Sequence, residues 1–112
     1  MTPRAEPNTT KDGAAPLRVL IRYRVKRADL TLELELLRAV YDELESARPE
    51  GLRYASFQLE DEVSFVELVE TDAPGRFSQL ESFRRYRATL DERCDEQPSV
   101  TDLRRVGAYG WD

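Results

Sequence analysis

Residues 52–60 and 63–70 are two runs rich in β-branched and aromatic residues, separated by the acidic segment Glu60-Asp61-Glu62. Two such runs around a short polar segment predict a β-hairpin. Alternation along each predicted strand sends apolar side chains to both faces. The first strand separates Ala55, Phe57 and Leu59 from Leu52, Tyr54 and Ser56, and the second separates Val63, Phe65, Glu67 and Val69 from Ser64, Val66 and Leu68. Because an antiparallel sheet with one solvated face keeps that face polar, the hairpin predicts a sheet that is covered on both faces.

Four further elements surround the hairpin and define the predicted fold. Residues 17–25 alternate as a strand, residues 30–48 and 77–94 carry apolar side chains at helical spacing, and residues 101–111 predict a last strand. The resulting order is β-α-β-β-α-β. With right-handed crossovers, this order places the first and third strands at the centre of a four-stranded antiparallel sheet, with two helices on one face. The predicted fold class is therefore α+β, with a ferredoxin-like architecture.

The two helices can cover only one face of that sheet. Apolar side chains remain on the other face, and a large exposed apolar patch marks an interaction site. We therefore expect a second copy of the chain to pack sheet to sheet, which closes a dimeric α/β barrel. The predicted last strand adds Tyr109 and Trp111 to one face and Val106 and Ala108 to the other. Replacing Phe65 with glutamate tests this interface, provided that Phe65 faces the partner.

The chain of 112 residues has the length of one domain, which we place at residues 17–112. Residues 1–16 combine proline, threonine and charged residues without apolar periodicity, so they are expected to form a flexible N-terminal tail. Because such a segment buries little apolar surface, deleting residues 1–15 should leave the thermal midpoint nearly unchanged.

Missing residue types exclude several kinds of chemistry. The chain has no histidine, one cysteine (Cys94) and no asparagine other than Asn8. This excludes Ser-His-Asp and Cys-His nucleophilic sites, histidine-ligated haem and the common zinc arrangements, and we expect no metal and no cofactor. The net charge of −5 disfavours nucleic acid and anionic membranes as partners. The lone cysteine and the lack of a long apolar run indicate a cytoplasmic protein.

Several segments resemble the antibiotic biosynthesis monooxygenase-like group of dimeric α/β-barrel proteins. They are the strand LRVLIRYRV, the segment ELESARPEGLRYASFQLED, the strand VSFVELVET and the helix SQLESFRRYRATLDERC, and the resemblance spans residues 17–110. It implies a homodimer in which two ferredoxin-like sheets close one barrel with the helices outside. Characterised cofactor-independent monooxygenases of this type use an asparagine with tryptophan, arginine or tyrosine, and haem-degrading relatives use a helix histidine. This chain has no such histidine or asparagine, and its only tryptophan is the penultimate residue, Trp111. The resemblance therefore implies the scaffold without the known catalytic residues.

One candidate pocket lies between the sheet and the second helix. Tyr23, Phe83, Tyr86 and Arg87 are expected to meet there. They either line an apolar pocket with phenol and guanidinium donors, suited to a small flat aromatic or quinone-like ligand, or fill the core.

A second candidate is a group of charged residues. Arg22, Arg24 and Glu67 are assigned to the uncovered face of the sheet. There they either form an ion-pair cluster that orients the two copies, or bind an anionic group inside the barrel. No catalytic residue can be assigned from the sequence.

Three functions follow from these expectations. The first is a small-molecule-binding or accessory homodimer without chemistry of its own, favoured by the missing histidine and asparagine. The second is a cofactor-independent monooxygenase for a small aromatic substrate, with Tyr23 and Arg87 binding and polarising it. The third is an interaction module that recruits another protein through residues 1–16. Whether the protein is an enzyme stays open at this point.

Overall fold

The structure, a computed structural model, describes residues 17–111, so the expectations for residues 1–16 concern a segment outside the described residues. Its elements are β1 (Leu17–Val25), α1 (Leu30–Ala47), β2 (Leu52–Gln58), β3 (Ser64–Thr71), α2 (Glu81–Ala88), α3 (Leu90–Arg93) and β4 (Cys94–Asp102). Short 3-10 helices at Arg27–Asp29 and Pro74–Gln79 precede α1 and α2. Within residues 17–111, no helix is long and apolar enough to cross a membrane.

The four strands form one antiparallel sheet in the order β2-β3-β1-β4. The predicted ferredoxin-like sheet, with the first and third strands in the centre, is therefore confirmed. Directly opposite residues of antiparallel strands point to the same face, so the register decides which side chains meet. Tyr23 lies opposite Phe65 and Ile21 lies opposite Glu67, which puts all four on one face.

That face packs against the helices and forms the core. Its largest cluster of buried residues joins β1, α1, β3, α2, α3 and β4, and contains Tyr23, Val25, Leu37, Val40, Phe65, Tyr86, Leu90 and Cys94. A second cluster at the other end of the sheet contains Val19, Val69, Phe77 and Leu80. Each fully buried large apolar side chain contributes about 1.5–3 kcal/mol, so these clusters supply most of the driving force for folding.

Phe65 needs a correction, since it lies on the helix face and not on the face left for a partner. Its side chain is 1% exposed and its ring stacks on that of Tyr23, with centroids 5.4 Å apart. The face away from the helices, called the open face below, carries the alternate residues of each strand, and residues after β4 lie against one end of it, where Arg105 pairs with Glu70. The open face presents Leu20, Arg22, Arg24, Ala55, Phe57, Val66 and Leu68. Apolar side chains therefore project from both faces of the hairpin, as its sequence predicts.

The predicted last strand is wrong in position. The fourth strand is Cys94–Asp102, and residues 103–111 belong to no helix or strand. In the sequence, Pro98 favours the end of a helix followed by a loop. In the structure, Pro98 lies in β4, which is an edge strand. An edge strand tolerates the missing N–H of proline where its pairing is irregular. The pairing slips there, with Arg22 opposite Ser99 and Arg24 opposite Glu96. The predicted second helix also divides into a 3-10 turn, α2 and α3, and ends before Cys94.

Candidate functional site

A cluster of buried polar side chains lies between the sheet and the helices, and we call it the Glu–Tyr network. Its members are Tyr23, Glu33, Tyr54, Glu67, Tyr86 and Arg93. Strand alternation places the β1, β2 and β3 members on the helix face. Glu33 continues the stripe formed by Leu37, Val40 and Leu44, at i+4, i+7 and i+11, so the helix carries it into the core.

Glu33 is charge-balanced by Arg93. The Nε of Arg93 donates to Oε1 of Glu33 at 2.8 Å, and the two side chains are 3% and 0% exposed. The same guanidinium donates to Oγ1 of Thr89 at 2.6 Å and to the carbonyl oxygen of Tyr86 at 3.0 Å. A buried carboxylate with a hydrogen-bonded guanidinium is held in its ionised form.

Glu67 lies in a different environment, because all of its partners are hydroxyl groups. The Tyr54 hydroxyl donates to Oε1 at 2.9 Å. The hydroxyl oxygens of Tyr86, Tyr23 and Ser56 lie 2.7, 3.1 and 3.3 Å from Oε2. No lysine or arginine among residues 17–111 forms an ion pair with this carboxyl group. Burial raises the pKa of Glu67, and the tyrosine hydrogen bonds offset only part of that rise.

The phenol of Tyr23 connects the two glutamates. Its oxygen lies 2.5 Å from Oε2 of Glu33 and 2.7 Å from the hydroxyl of Tyr86. Burial and the nearby carboxylates raise the pKa of Tyr23, and burial with the charge of Glu67 does the same for the pKa values of Tyr54 and Tyr86. All three phenols therefore keep their protons at neutral pH and act as hydrogen-bond donors.

A cavity of about 320 Å³ touches this network between the sheet and α2. Apolar side chains, among them Phe77 and Phe83, make most of its wall, and its polar groups are Tyr54, Glu67, Tyr86 and Arg87. A volume of this size is at the lower end for small-molecule sites, and apolar walls with a few convergent polar groups are typical of them. A wider cleft of about 620 Å³ lies beside Arg18 at the end of the sheet, away from the network.

The structure brings the predicted pocket residues together, but Tyr23 does not line the cavity. Phe83, Tyr86 and Arg87 line the cavity, whereas Tyr23 lies one layer deeper and contacts two of the lining residues, Tyr86 and Glu67, through its hydroxyl group.

The predicted group of charged residues is not formed, and the prediction is wrong in the placement of Glu67. Glu67 faces the helices, because it lies opposite Ile21 in the sheet, while Arg22 and Arg24 lie on the open face. Arg24 instead pairs with Asp95 at 2.9 Å and Glu96 at 3.7 Å on β4. The apolar neighbours of Glu67 at i−2 and i+2, Phe65 and Val69, are the sequence signal for its burial.

Glu33 and Arg93 were not predicted as site residues. The available signal for Glu33 is its place on the apolar stripe of α1. Arg93 has no comparable signal, since the sequence predicts it outside the apolar stripe of the second helix and the observed α3 has only four residues.

Comparison with known proteins supports the fold. No protein-family model matches the chain, and its sequence matches none of the curated proteins. A solved antibiotic biosynthesis monooxygenase shares 20% identity, with a TM-score of 0.61 over 80% of this chain and 98% of that one. A candidate antibiotic biosynthesis monooxygenase from Nitrosomonas europaea shares 16% identity, with a TM-score of 0.68 over 87% of this chain and 96% of its own. A protein from Pseudomonas aeruginosa shares 20% identity, with a TM-score of 0.64 over 85% of this chain and 98% of its own. At the level of the fold, this chain is therefore similar to the antibiotic biosynthesis monooxygenase-like proteins, as its segments suggested.

Proposed function

We propose that the protein is a homodimer that binds a small, flat aromatic molecule of phenol or quinone type in the cavity beside the Glu–Tyr network. The cavity is the observation that carries this proposal. Its apolar walls favour burial of a ring, while the guanidinium of Arg87 supplies hydrogen-bond donors of the kind that orient a ligand oxygen.

The homodimer is supported by the apolar side chains of the open face. The open face leaves Phe57 48% exposed, next to the directly opposite Val66. A second copy covering this face would remove apolar surface from water, which is the main driving force for association. The helices already cover the opposite face, so the cavity stays on the outer side of the sheet.

Binding can be tested with para-nitrophenol and menadione, a phenol and a quinone, by calorimetry and by ligand-observed NMR. Wild-type protein should bind at least one of them. Val100→Trp, at the wall of the cavity, should abolish binding, and Arg87→Gln should weaken binding of the phenolate. Arg85→Gln is the matched control, because Arg85 lies on the same helix but pairs with Glu81 outside the cavity. Binding that is unchanged in Val100→Trp would contradict the proposed site.

A second candidate function is a cofactor-independent monooxygenase for the same type of ligand. The proton-bearing Glu–Tyr network in the cavity wall favours this candidate, because such groups can move protons on a bound substrate. Oxygen consumption after addition of hydroquinone tests it. Wild-type protein should consume oxygen faster than Glu67→Gln, and equal rates would contradict the enzymatic candidate.

A further inference from the structure

The Glu–Tyr network contains more short oxygen contacts than its phenols have protons. Oε2 of Glu33, the hydroxyls of Tyr23 and Tyr86, and Oε2 of Glu67 follow one another at 2.5, 2.7 and 2.7 Å. Oxygen atoms at such distances are hydrogen-bonded, and each bond requires one proton between them. The two phenols supply two protons for three contacts, so a third proton belongs to one of the two carboxyl groups.

The surroundings of the two carboxyl groups identify the one that is protonated. Glu33 has the buried guanidinium of Arg93 as its partner and is ionised. Glu67 has only hydroxyl partners. With the third proton on Glu67, its Oε2–H donates to Tyr86, Tyr86 donates to Tyr23, and Tyr23 donates to Glu33. Every contact of the chain then has one donor and one acceptor, and burial of Glu67 acts in the same direction.

We infer that Glu67 is a neutral carboxylic acid in the wall of the cavity, and that Tyr86 and Tyr23 connect it by directed hydrogen bonds to the ionised Glu33–Arg93 pair. Tyr54 donates to Oε1 of Glu67, lines the cavity and is partly exposed, whereas Glu67, Tyr86, Tyr23 and Glu33 are buried. The inference concerns the protein without a ligand and does not rest on the proposed function.

The charged and titratable groups packed against these hydrogen bonds agree with the assignment. They are Tyr23 on β1, Glu33 and Tyr41 on α1, Tyr54 on β2, Tyr86 and Arg87 on α2, Arg93 on α3 and Cys94 on β4. Arg93 balances the Glu33 carboxylate, whereas neither Arg93 nor Arg87 forms an ion pair with Glu67.

Infrared spectroscopy tests the protonation of Glu67 without any ligand. A protonated carboxylic acid has a carbonyl band that is separate from carboxylate bands and shifts in heavy water. Wild-type protein at neutral pH should show this band, and Glu67→Gln should lose it. A wild-type spectrum without the band, or a band that persists in Glu67→Gln, would overturn the assignment.

Discussion

At the scale of single residues, two glutamates on the same side of the sheet have opposite electrostatic roles. Glu33 is a buried anion with a guanidinium partner, and removing one member of such a pair leaves the other uncompensated. Glu67 is surrounded by hydroxyl groups, so a neutral side chain of the same shape can replace it.

Glu33→Gln should therefore lower the free energy of unfolding by about 3–5 kcal/mol, because it leaves the buried charge of Arg93 without a counter-charge. Urea denaturation measures the effect. Glu81→Gln is the control, since Glu81 pairs with Arg85 at 3.3 Å at the exposed surface, where such pairs contribute about 0.2–1 kcal/mol. Equal losses in the two variants would contradict the ionised Glu33–Arg93 pair.

The pH dependence of stability separates the two glutamates further. The pKa of Glu67 is raised in the folded state, so its stabilising effect is complete below its unfolded-state pKa of about 4.3 and declines as pH rises. The free energy of unfolding of wild type minus that of Glu67→Gln should therefore fall above this pH, by up to about 1.4 kcal/mol per pH unit, until the folded-state pKa is reached. Denaturant titrations at several pH values measure the difference. A difference that increases with pH would show that Glu67 is ionised.

The residues of the site were only partly predictable. Tyr86 and Arg87 could be placed at the cavity because helical spacing puts them near the apolar stripe of α2. Glu67 was assigned to the wrong face because alternation separates two sets of side chains without saying which set is covered. That choice depends on the pairing with β1, which brings together residues far apart in the sequence.

At the scale of elements, α1 shows where sequence signals are strong. Its range of Leu30–Ala47 agrees with the predicted 30–48, because apolar spacing and the following Pro49 both indicate it. The last strand was misplaced because residues 103–111 resemble a strand in composition, whereas Cys94–Asp102 is polar and contains Pro98. Pairing with β1, rather than local propensity, makes this segment a strand.

The end of α1 gives a prediction at the same scale. Arg48 closes the helix in a left-handed conformation, with φ of 45°, and its N–H donates to the Leu44 carbonyl oxygen at 2.8 Å. Glycine adopts this conformation without the steric cost of a Cβ atom. Arg48→Gly should therefore raise the free energy of unfolding by about 0.5–1 kcal/mol. Arg38→Gly, at an exposed position inside the helix, should lower it by about 1 kcal/mol. Thermal denaturation compares them, and destabilisation by both would contradict the role of the conformation at Arg48.

At the scale of the whole molecule, the monomer leaves apolar surface exposed on the open face and in the segment after β4. The open face presents Phe57 beside Val66, and the segment after β4 exposes Val106 and Tyr109 by 97% and 96%. The two-faced hairpin predicted the first of these from sequence. The second belongs to residues 103–111, which the sequence wrongly assigned to the last strand. The position of these side chains on the molecule was therefore not predictable. A second copy packed on the open face would cover Phe57 and Val66, which is why we propose the dimer interface there.

The dimer prediction therefore concerns Val66 and Phe57 and no longer Phe65. Val66→Glu and Phe57→Glu should each convert the dimer to folded monomers, because a carboxylate in the interface has no partner to offset its desolvation. Phe65→Glu should instead unfold the chain, since Phe65 is 1% exposed and stacks on Tyr23. Leu34→Glu is the control, as Leu34 is 42% exposed on α1, away from the open face, and this variant should stay dimeric.

Sedimentation velocity at micromolar concentration gives the mass, and circular dichroism shows whether each variant is folded. A wild-type chain that sediments as a monomer, or a Val66→Glu variant that stays dimeric, would mean that the open face is not the interface. The apolar side chains of β2 and β3 that point away from the helices would then require a different partner.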